Sequence, residues 1–192
     1  MSVTAELYKQ SIFDHLRRTL QPVVARAGVL VQTELKRMVN RSGSPSRPGT
    51  PPGKDTGTLG RSIQVDSSKI MSLRVRIGTN LPYGRIQEFG GVIRPKKVQR
   101  LPVPLNREAK LLQRRGSLRS ANLTLIPRRG KDSLLVRKTK GGGFKPLFIL
   151  KKSVTLPARP WVRPTRVRVA PRVLKLIAQG VKASAASLPG RP

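Results

Sequence analysis

Positive charge limits what this 192-residue chain can fold into more than any other feature. Forty lysines and arginines stand against eight aspartates and glutamates, a formal net charge of +32 at pH 7. The excess is uneven. Through residue 88 there are 14 basic and 6 acidic residues, and from residue 89 onward there are 26 and 2. Self-repulsion on that scale opposes a compact, isolated monomer, so a polyanion or an acidic protein surface must lie close in the working state. Nucleic acid meets that need, because neutralising phosphates releases counterions. The core must be modest, with only 37% hydrophobic and 4% aromatic residues. Seventeen Gly and 17 Pro point to long extended arms around a small packed body.

The most informative stretch is LRVRIGTNLPYGRIQEFGG, residues 73–91. Leu73, Val75 and Ile77 alternate with Arg74 and Arg76, the period of a half-buried strand. Gly78-Thr79-Asn80 breaks that strand, and Pro82 opens a short helix. Tyr83, Ile86 and Phe89 recur every three residues, which predicts an apolar face folded back on the sheet. Gly90-Gly91 closes the helix. Upstream, Asp55 to Ile63 reads as a turn leading into a strand at 63–65, which pairs with 73–78 as an antiparallel hairpin.

Residues 3–39 read as helix. From Pro22, the positions Val23, Ala27, Leu30, Val31, Leu35 and Met38 form one stripe, and Leu7, Ile12, Phe13, Leu16 and Leu20 make a looser one before it. Pro22 is expected to kink this helix or to begin a second one. Residues 40–57 hold Pro45, Pro48, Pro51 and Pro52 among glycines and serines, the composition of a linker. They suit an arm reaching a neighbour or a plain loop. GTPPGK fails as a phosphate loop, since Pro48 stands where its first glycine belongs and Asp55 follows the lysine.

The second half holds a basic run (Arg94, Lys96, Lys97, Arg100) and LPVPL at 101–105, whose alternate prolines confine it to a sheet edge or an arm. A helical turn at 108–115 ends in Arg114 and Arg115. Residues 117–140 read as hairpins with basic tips carrying Arg128, Arg129 and Lys131. Gly141 to Gly143 is a hinge, and 147–156 a further strand. ARPWVRP at 158–164 reads as an extended crossing anchored by Trp161, the only tryptophan. Pro171 would open a closing helix whose buried stripe is Val173, Leu174, Ile177 and Val181. The last residues, 183–192, are expected to fray.

Chemistry is sparse. Beyond Glu88 only Glu108 and Asp132 remain, too few for paired-acid or metal-nuclease catalysis. His15, the only histidine, has no partner pattern and reads as surface. No cysteine is present, so no thiolate chemistry arises, which fits assembly in a reducing cytoplasm. Apolar runs are far too short to span a bilayer, and Glu6 and Asp14 sit where a signal peptide would be basic and then apolar. The reading is no enzyme, no cofactor, no metal and no membrane. The fold class is α+β: long N- and C-terminal helices on a small, mostly antiparallel sheet, with Pro/Gly-rich and basic loops.

Three pieces stand in order along the chain: Asp55-Thr56-Gly57-Thr58-Leu59 with Arg61-Ser62-Ile63; Ile77-Gly78-Thr79 with Tyr83 and Glu88-Phe89-Gly90; and Arg159-Pro160-Trp161-Val162-Arg163-Pro164. Together they resemble the tail-completion or neck family of tailed bacteriophages, found in lambdoid siphophages and related to virion-morphogenesis proteins of Mu-like phages. Trp161 replaces that family's usual phenylalanine, Gly84 replaces a common alanine, and residues 94–145 look like a basic insertion. The resemblance implies one tail-completion domain over 1–192: helix to 40, arm 41–57, sheet 58–164, closing helix 165–186. It implies a structural virion protein whose copies form a ring, typically hexameric, that completes the tail. The partners would be further copies, a tail tube or terminator protein, a head connector, adaptor or portal, and genome DNA through phosphates.

Under that resemblance, subunit and partner contacts fall to Asp55, Thr56, Gly57, Leu59, Ser62, Tyr83, Glu88, Phe89, Arg159, Pro160, Trp161, Arg163 and Pro164. Glu88 would pair with an arginine within or between subunits, or form a local helix-end salt bridge. DNA or an acidic partner would meet Arg94, Lys96, Lys97, Arg100, Arg114, Arg115, Arg128, Arg129 and Lys131. The alternative is a stand-alone basic nucleic-acid-binding protein, ribosomal or nucleoid-like. It is disfavoured because few aromatics interleave with the basic residues.

Overall fold

The computed structural model describes residues 3–41, 47–116, 118 and 121–188, with side chains from residue 9. Leu7's side chain, arm residues 42–46, part of the 117–120 segment and the end from residue 189 lie outside the described residues. The chain divides into two compact units, Met1–Gly90 with Pro157–Pro192, and Gly91–Leu156. Its class is α+β.

In the first unit, helix α1 (Val3–Val39) runs unbroken through Pro22, although a proline there removes one backbone hydrogen bond. Pro22 is exposed, so water can satisfy the carbonyl it orphans. Ala27, Leu35 and Met38 are buried on the expected stripe and Val39 beside it, whereas Phe13 of the looser stripe is 64% exposed. The hairpin forms, but its second strand is shorter than read, because Ile70–Ser72 make a 3-10 turn that leaves Leu73 left-handed at φ 53°. A short helix α2 (Thr58–Ser62) leads to β1 (Gln64–Asp66), which pairs antiparallel with β2 (Arg76–Gly78) in the register Val65↔Ile77. In its turn the Asp66 carboxylate accepts from Ser68 N–H at 2.9 Å. That bond, ahead of the neighbouring cations, holds its carboxyl below the usual range. Leu35, Met38, Val39, Ile63 and Trp161 form the core, with Val31, Leu59 and Ile77 packed around them. The described arm residues are tied to this same body: Gly49 N–H donates to Ala158 O, Lys54 N–H donates to Arg41 O (both 2.9 Å), and Pro52 is buried.

The last helix, α5 (Val162–Ala186), lies antiparallel to α1. Arg172 pairs with Glu34 at 2.9 Å, Thr19 meets Ser184, and His15 Nε2 lies 3.2 Å from Ser187 Oγ. Between them Gly180 is required, because a Cβ there would sit 2.7 Å from a Val23 methyl. Two expectations change. Val162, Arg163 and Pro164 are the first turn of α5 rather than part of an extended crossing, since the opening N–H groups of a helix have no internal acceptors and a proline there costs little. The buried face is Thr165, Val169 and Ser184, with Val173, Leu176 and Gly180 half-buried, while Leu174, Ile177 and Val181 are exposed. The close approach of Gly180 to Val23 and of Ser184 to Thr19 sets which residues face α1.

Residues 91–156, which contain the basic stretch 94–145, fold as the second unit and carry regular structure through most of their length. Strand β3 (Gly91–Ile93) pairs antiparallel with β8 (Val154–Leu156). A four-stranded antiparallel sheet runs in the order β4 (Leu101–Pro104), β7 (Phe144–Lys151), β6 (Lys131–Lys138), β5 (Leu123–Arg128). The proline-containing β4 is an edge, where missing N–H groups are tolerated. Helix α4 (Arg107–Arg114) is capped by Asn106, whose Oδ1 accepts from Ala109 N–H at 2.9 Å. Ala109, Leu147 and Phe148 form this unit's core, with Leu112, Leu118, Leu123 and Leu135 against it.

Candidate assembly site at the start of the last helix

The three sequence pieces meet in the first unit around one carboxylate. Helix α3 (Pro82–Phe89) begins on Pro82 and ends at Gly90, whose φ of 72° suits a glycine. Its buried positions are Gly84 and Glu88. Tyr83 and Phe89 point outward, Phe89 with 74% exposure, so the expected aromatic face does not fold back on the sheet. The reason is that the opposite face has stronger partners. Glu88 Oε2 accepts from the backbone N–H of Trp161 (2.6 Å) and Val162 (2.8 Å), and Oε1 from Arg163 N–H (3.1 Å). These are the unsatisfied donors that open α5, at the positive end of its dipole. Glu88 therefore works at a helix end as one expectation had it, but on peptide N–H groups rather than on a cation.

Trp161 is only 3% exposed, and its indole Nε1–H donates to Gly84 O at 3.3 Å. Thr165 Oγ1 donates back to Trp161 O at 2.7 Å. The backbone before it is also held, with Arg159 N–H donating to Gln87 O at 2.7 Å. Gly84 is fixed by Thr79: a Cβ at 84 would lie 2.6 Å from the Thr79 methyl. Thr79 cannot readily turn away. Leu81 N–H donates to Thr79 Oγ1 at 3.1 Å, and Thr79 Oγ1 lies 2.6 Å from Ser62 Oγ. Ser62 donates its proton to Leu59 O at 2.8 Å, so Thr79 is the donor to Ser62. One hydrogen-bonded chain thus joins α3's start to α2.

Of the predicted contact residues, Leu59, Ser62, Glu88, Trp161 and Arg163 come together here, with Pro160 and Pro164 half-buried beside them. Asp55 and Thr56 are exposed in the turn before α2, where Thr56 Oγ1 lies 2.7 Å from Thr58 Oγ1, and Gly57 starts that helix at φ 74°. Sequence reading left out Thr79, Gly84, Arg85 and Arg166 as site residues. The unusual glycine at 84 was a usable signal, whereas Arg166 joins Arg163 only once α5 begins at Val162. Arg85, Arg163, Arg166, Phe89 and Val162 border a groove of about 430 Å³ floored by Gly84 and Trp161.

The nine basic residues expected to meet DNA or an acidic partner all lie in the second unit. Arg100, Arg128 and Lys131 line one polar groove with Lys152, which the sequence reading did not single out. Arg128 is braced there by donating Nε and Nη2 to Asp132 O at 2.9 and 2.7 Å. Arg94, Lys96 and Lys97 are exposed after β3, Arg114 and Arg115 at the end of α4, and Arg129 at the hairpin tip. On α4, Glu108 pairs with Lys145 at 2.8 Å and with Arg137. Lys145 first, and Arg137 with it, hold that carboxyl below its ordinary range. Among the described residues no cluster of three or more metal-ligating side chains occurs, and no helix is long and apolar enough to cross a membrane.

Comparison with known proteins gives one family. The HK97-gp10-like model, described as "Bacteriophage HK97-gp10, putative tail-component", matches residues 6–90. That span covers the first two sequence pieces and ends where the first unit is interrupted. Over that span the chain is similar to a tailed-phage tail-component family. No curated protein and no solved structure matches the chain.

Proposed function

We propose that this chain, similar over residues 6–90 to the HK97-gp10-like phage tail components, is a structural protein of the phage neck. Several copies, six in the simplest ring, close around the DNA channel, complete the tail and join it to the head connector, adaptor or portal on one side and the tail tube or terminator protein on the other. Assembly takes place in the host cytoplasm. The chain has no catalytic role and uses no cofactor in this reading.

The family match carries the proposal, and the lock at Glu88 supports it physically. A ring needs subunits whose contact surfaces keep one orientation. The Glu88 and Thr79 hydrogen bonds fix α2, α3 and the start of α5 as one rigid piece, leaving Tyr83, Phe89, Arg85, Arg163 and Arg166 at its surface. The second unit offers cations to DNA phosphates without reading sequence.

The test is a phage carrying a stop codon early in this chain's reading frame. Unjoined heads and tails in negative stain, with joining restored by the purified protein, are the expected result. Normal particles would overturn the proposal. A stand-alone nucleic-acid-binding protein is favoured by one feature, the groove formed by Arg100, Arg128, Lys131 and Lys152. Native mass spectrometry separates the two: a closed oligomer supports the ring, and a monomer saturating duplex DNA supports the other.

A further inference from the structure

Helix α5 has two faces. The one described above packs on α1. On the other side Val167, Leu174 and Val181 stand seven residues apart and are 71%, 66% and 45% exposed, and Leu188, two residues past the helix end, is 38% exposed. Pro171, Ala178 and Ala185 lie four residues after each of the three, also exposed, so the steps alternate four and three from Val167 to Ala185. Apolar residues at an average spacing of 3.5 form the seam by which one helix meets another. Alanines at the intermediate positions let a second backbone come close, and Ile177 widens the strip. An ordinary surface helix leaves polar residues opposite its buried stripe. This one does not.

Beside the seam runs a second row with the same period, Arg168, Lys175 and Lys182, all exposed. None of the three has an ion-pair partner among the described residues. A second copy of α5 is a poor occupant. Packed antiparallel, the two basic rows would face one another. Packed parallel, each row would face Ala170, Ile177 and Ser184, which offer no charge, and Ser184 is already buried against α1.

From this geometry we propose that the outer face of α5 is the docking seam for an amphipathic helix of another protein, with a leucine or similar residue every seventh position and a flanking row of Asp or Glu. Apolar burial along the seam supplies affinity, and the Arg168, Lys175, Lys182 row selects an acidic partner and sets its register. The proposal does not depend on the ring reading.

The test uses the full chain. Two synthetic helices of about three heptads are compared, with the same leucine and alanine seam. One is flanked by glutamates and the other by lysines. The glutamate helix is expected to bind and the lysine helix not. Leu174→Asp should weaken binding about tenfold or more, since a large apolar contact is lost. The triple change Arg168→Glu, Lys175→Glu, Lys182→Glu should reverse the preference. Far-UV circular dichroism and thermal melting identify any variant that fails to fold; these positions are exposed, so wild-type melting is expected. Because the chain has no cysteine, Leu174→Cys also gives a unique attachment point for a photo-crosslinker in assembled particles, and the linked peptide should be acidic with a seven-residue repeat. Equal or absent binding of the two helices, or crosslinks to a second copy, to DNA or to nothing, would overturn the proposal. None of these outcomes bears on head–tail joining, so the two proposals fail separately.

Discussion

Glu88→Ala is the most informative single change. It removes the acceptor for three backbone N–H groups at 2.6, 2.8 and 3.1 Å, at a residue only 8% exposed. Trp161 N–H is buried and would lose its partner outright, a cost of about 1–3 kcal/mol. The Val162 and Arg163 donors are partly accessible, so water recovers most of each bond, leaving roughly 0.5 kcal/mol apiece. Loss of the negative charge at the helix dipole adds about 1 kcal/mol. The total is roughly 3–5 kcal/mol, a large share of the about 5–15 kcal/mol that stabilises a typical domain. Glu88→Gln keeps one acceptor oxygen and the shape, and should cost roughly 1–2 kcal/mol, because its amide NH₂ then faces a donor. Urea unfolding followed by fluorescence of Trp161, the only tryptophan, measures both variants. Emission should shift to the red in Glu88→Ala as the start of α5 loosens. An unchanged midpoint with unchanged emission would refute the role given to Glu88.

Two further outcomes follow from the same geometry. Gly84→Ala should destabilise the first unit by about 1–3 kcal/mol, because the new methyl meets a Thr79 methyl held by two hydrogen bonds. Thr79→Ser removes that methyl and keeps the hydroxyl, so the double variant should recover most of the loss; a strictly additive pair in urea unfolding would refute the clash. In the second unit, Lys145 and Arg137 hold Glu108 below its ordinary value, so the unfolded chain binds its proton more readily than the folded one. The stability it contributes is complete above the ordinary carboxylate range and is lost as pH falls through the folded value. Glu108→Gln should therefore melt lower than the parent at neutral pH, and the gap should close as pH falls through the lowered folded value of Glu108. A gap that persists in acid would exclude this linkage. The effect should be small, since all three side chains are about a third or more exposed.

Periodicity and proline chemistry were legible from the residues alone. The α1 stripe, the hairpin of β1 and β2, Pro82 at the start of α3, the edge strand at 101–104 and the basic hairpin tips all follow from local rules. Asp55 to Ile63, Thr79, Glu88 and Trp161 could be recognised as pieces in a family's order, but not as partners. The misreadings share one cause. Tyr83 and Phe89 are apolar and share a face, yet a Glu88 carboxylate meeting three orphaned helix donors decides which face of α3 is buried. Likewise the start of α5 depends on whether Pro164 stands outside the helix or inside its first turn, and the pattern of 158–164 permits both.

By itself, then, the sequence determined the two long helices, the antiparallel pairing and the absence of thiol chemistry. These rest on composition and on contacts between residues near in the chain. Only the tertiary structure decided that residues 73 to 75 positions apart would share one carboxylate and that Gly84 yields to Thr79. It alone also turned one apolar face of α5 inward and left another uncovered. Such choices come from long-range competition for a few buried donors and a small core, which no local pattern records.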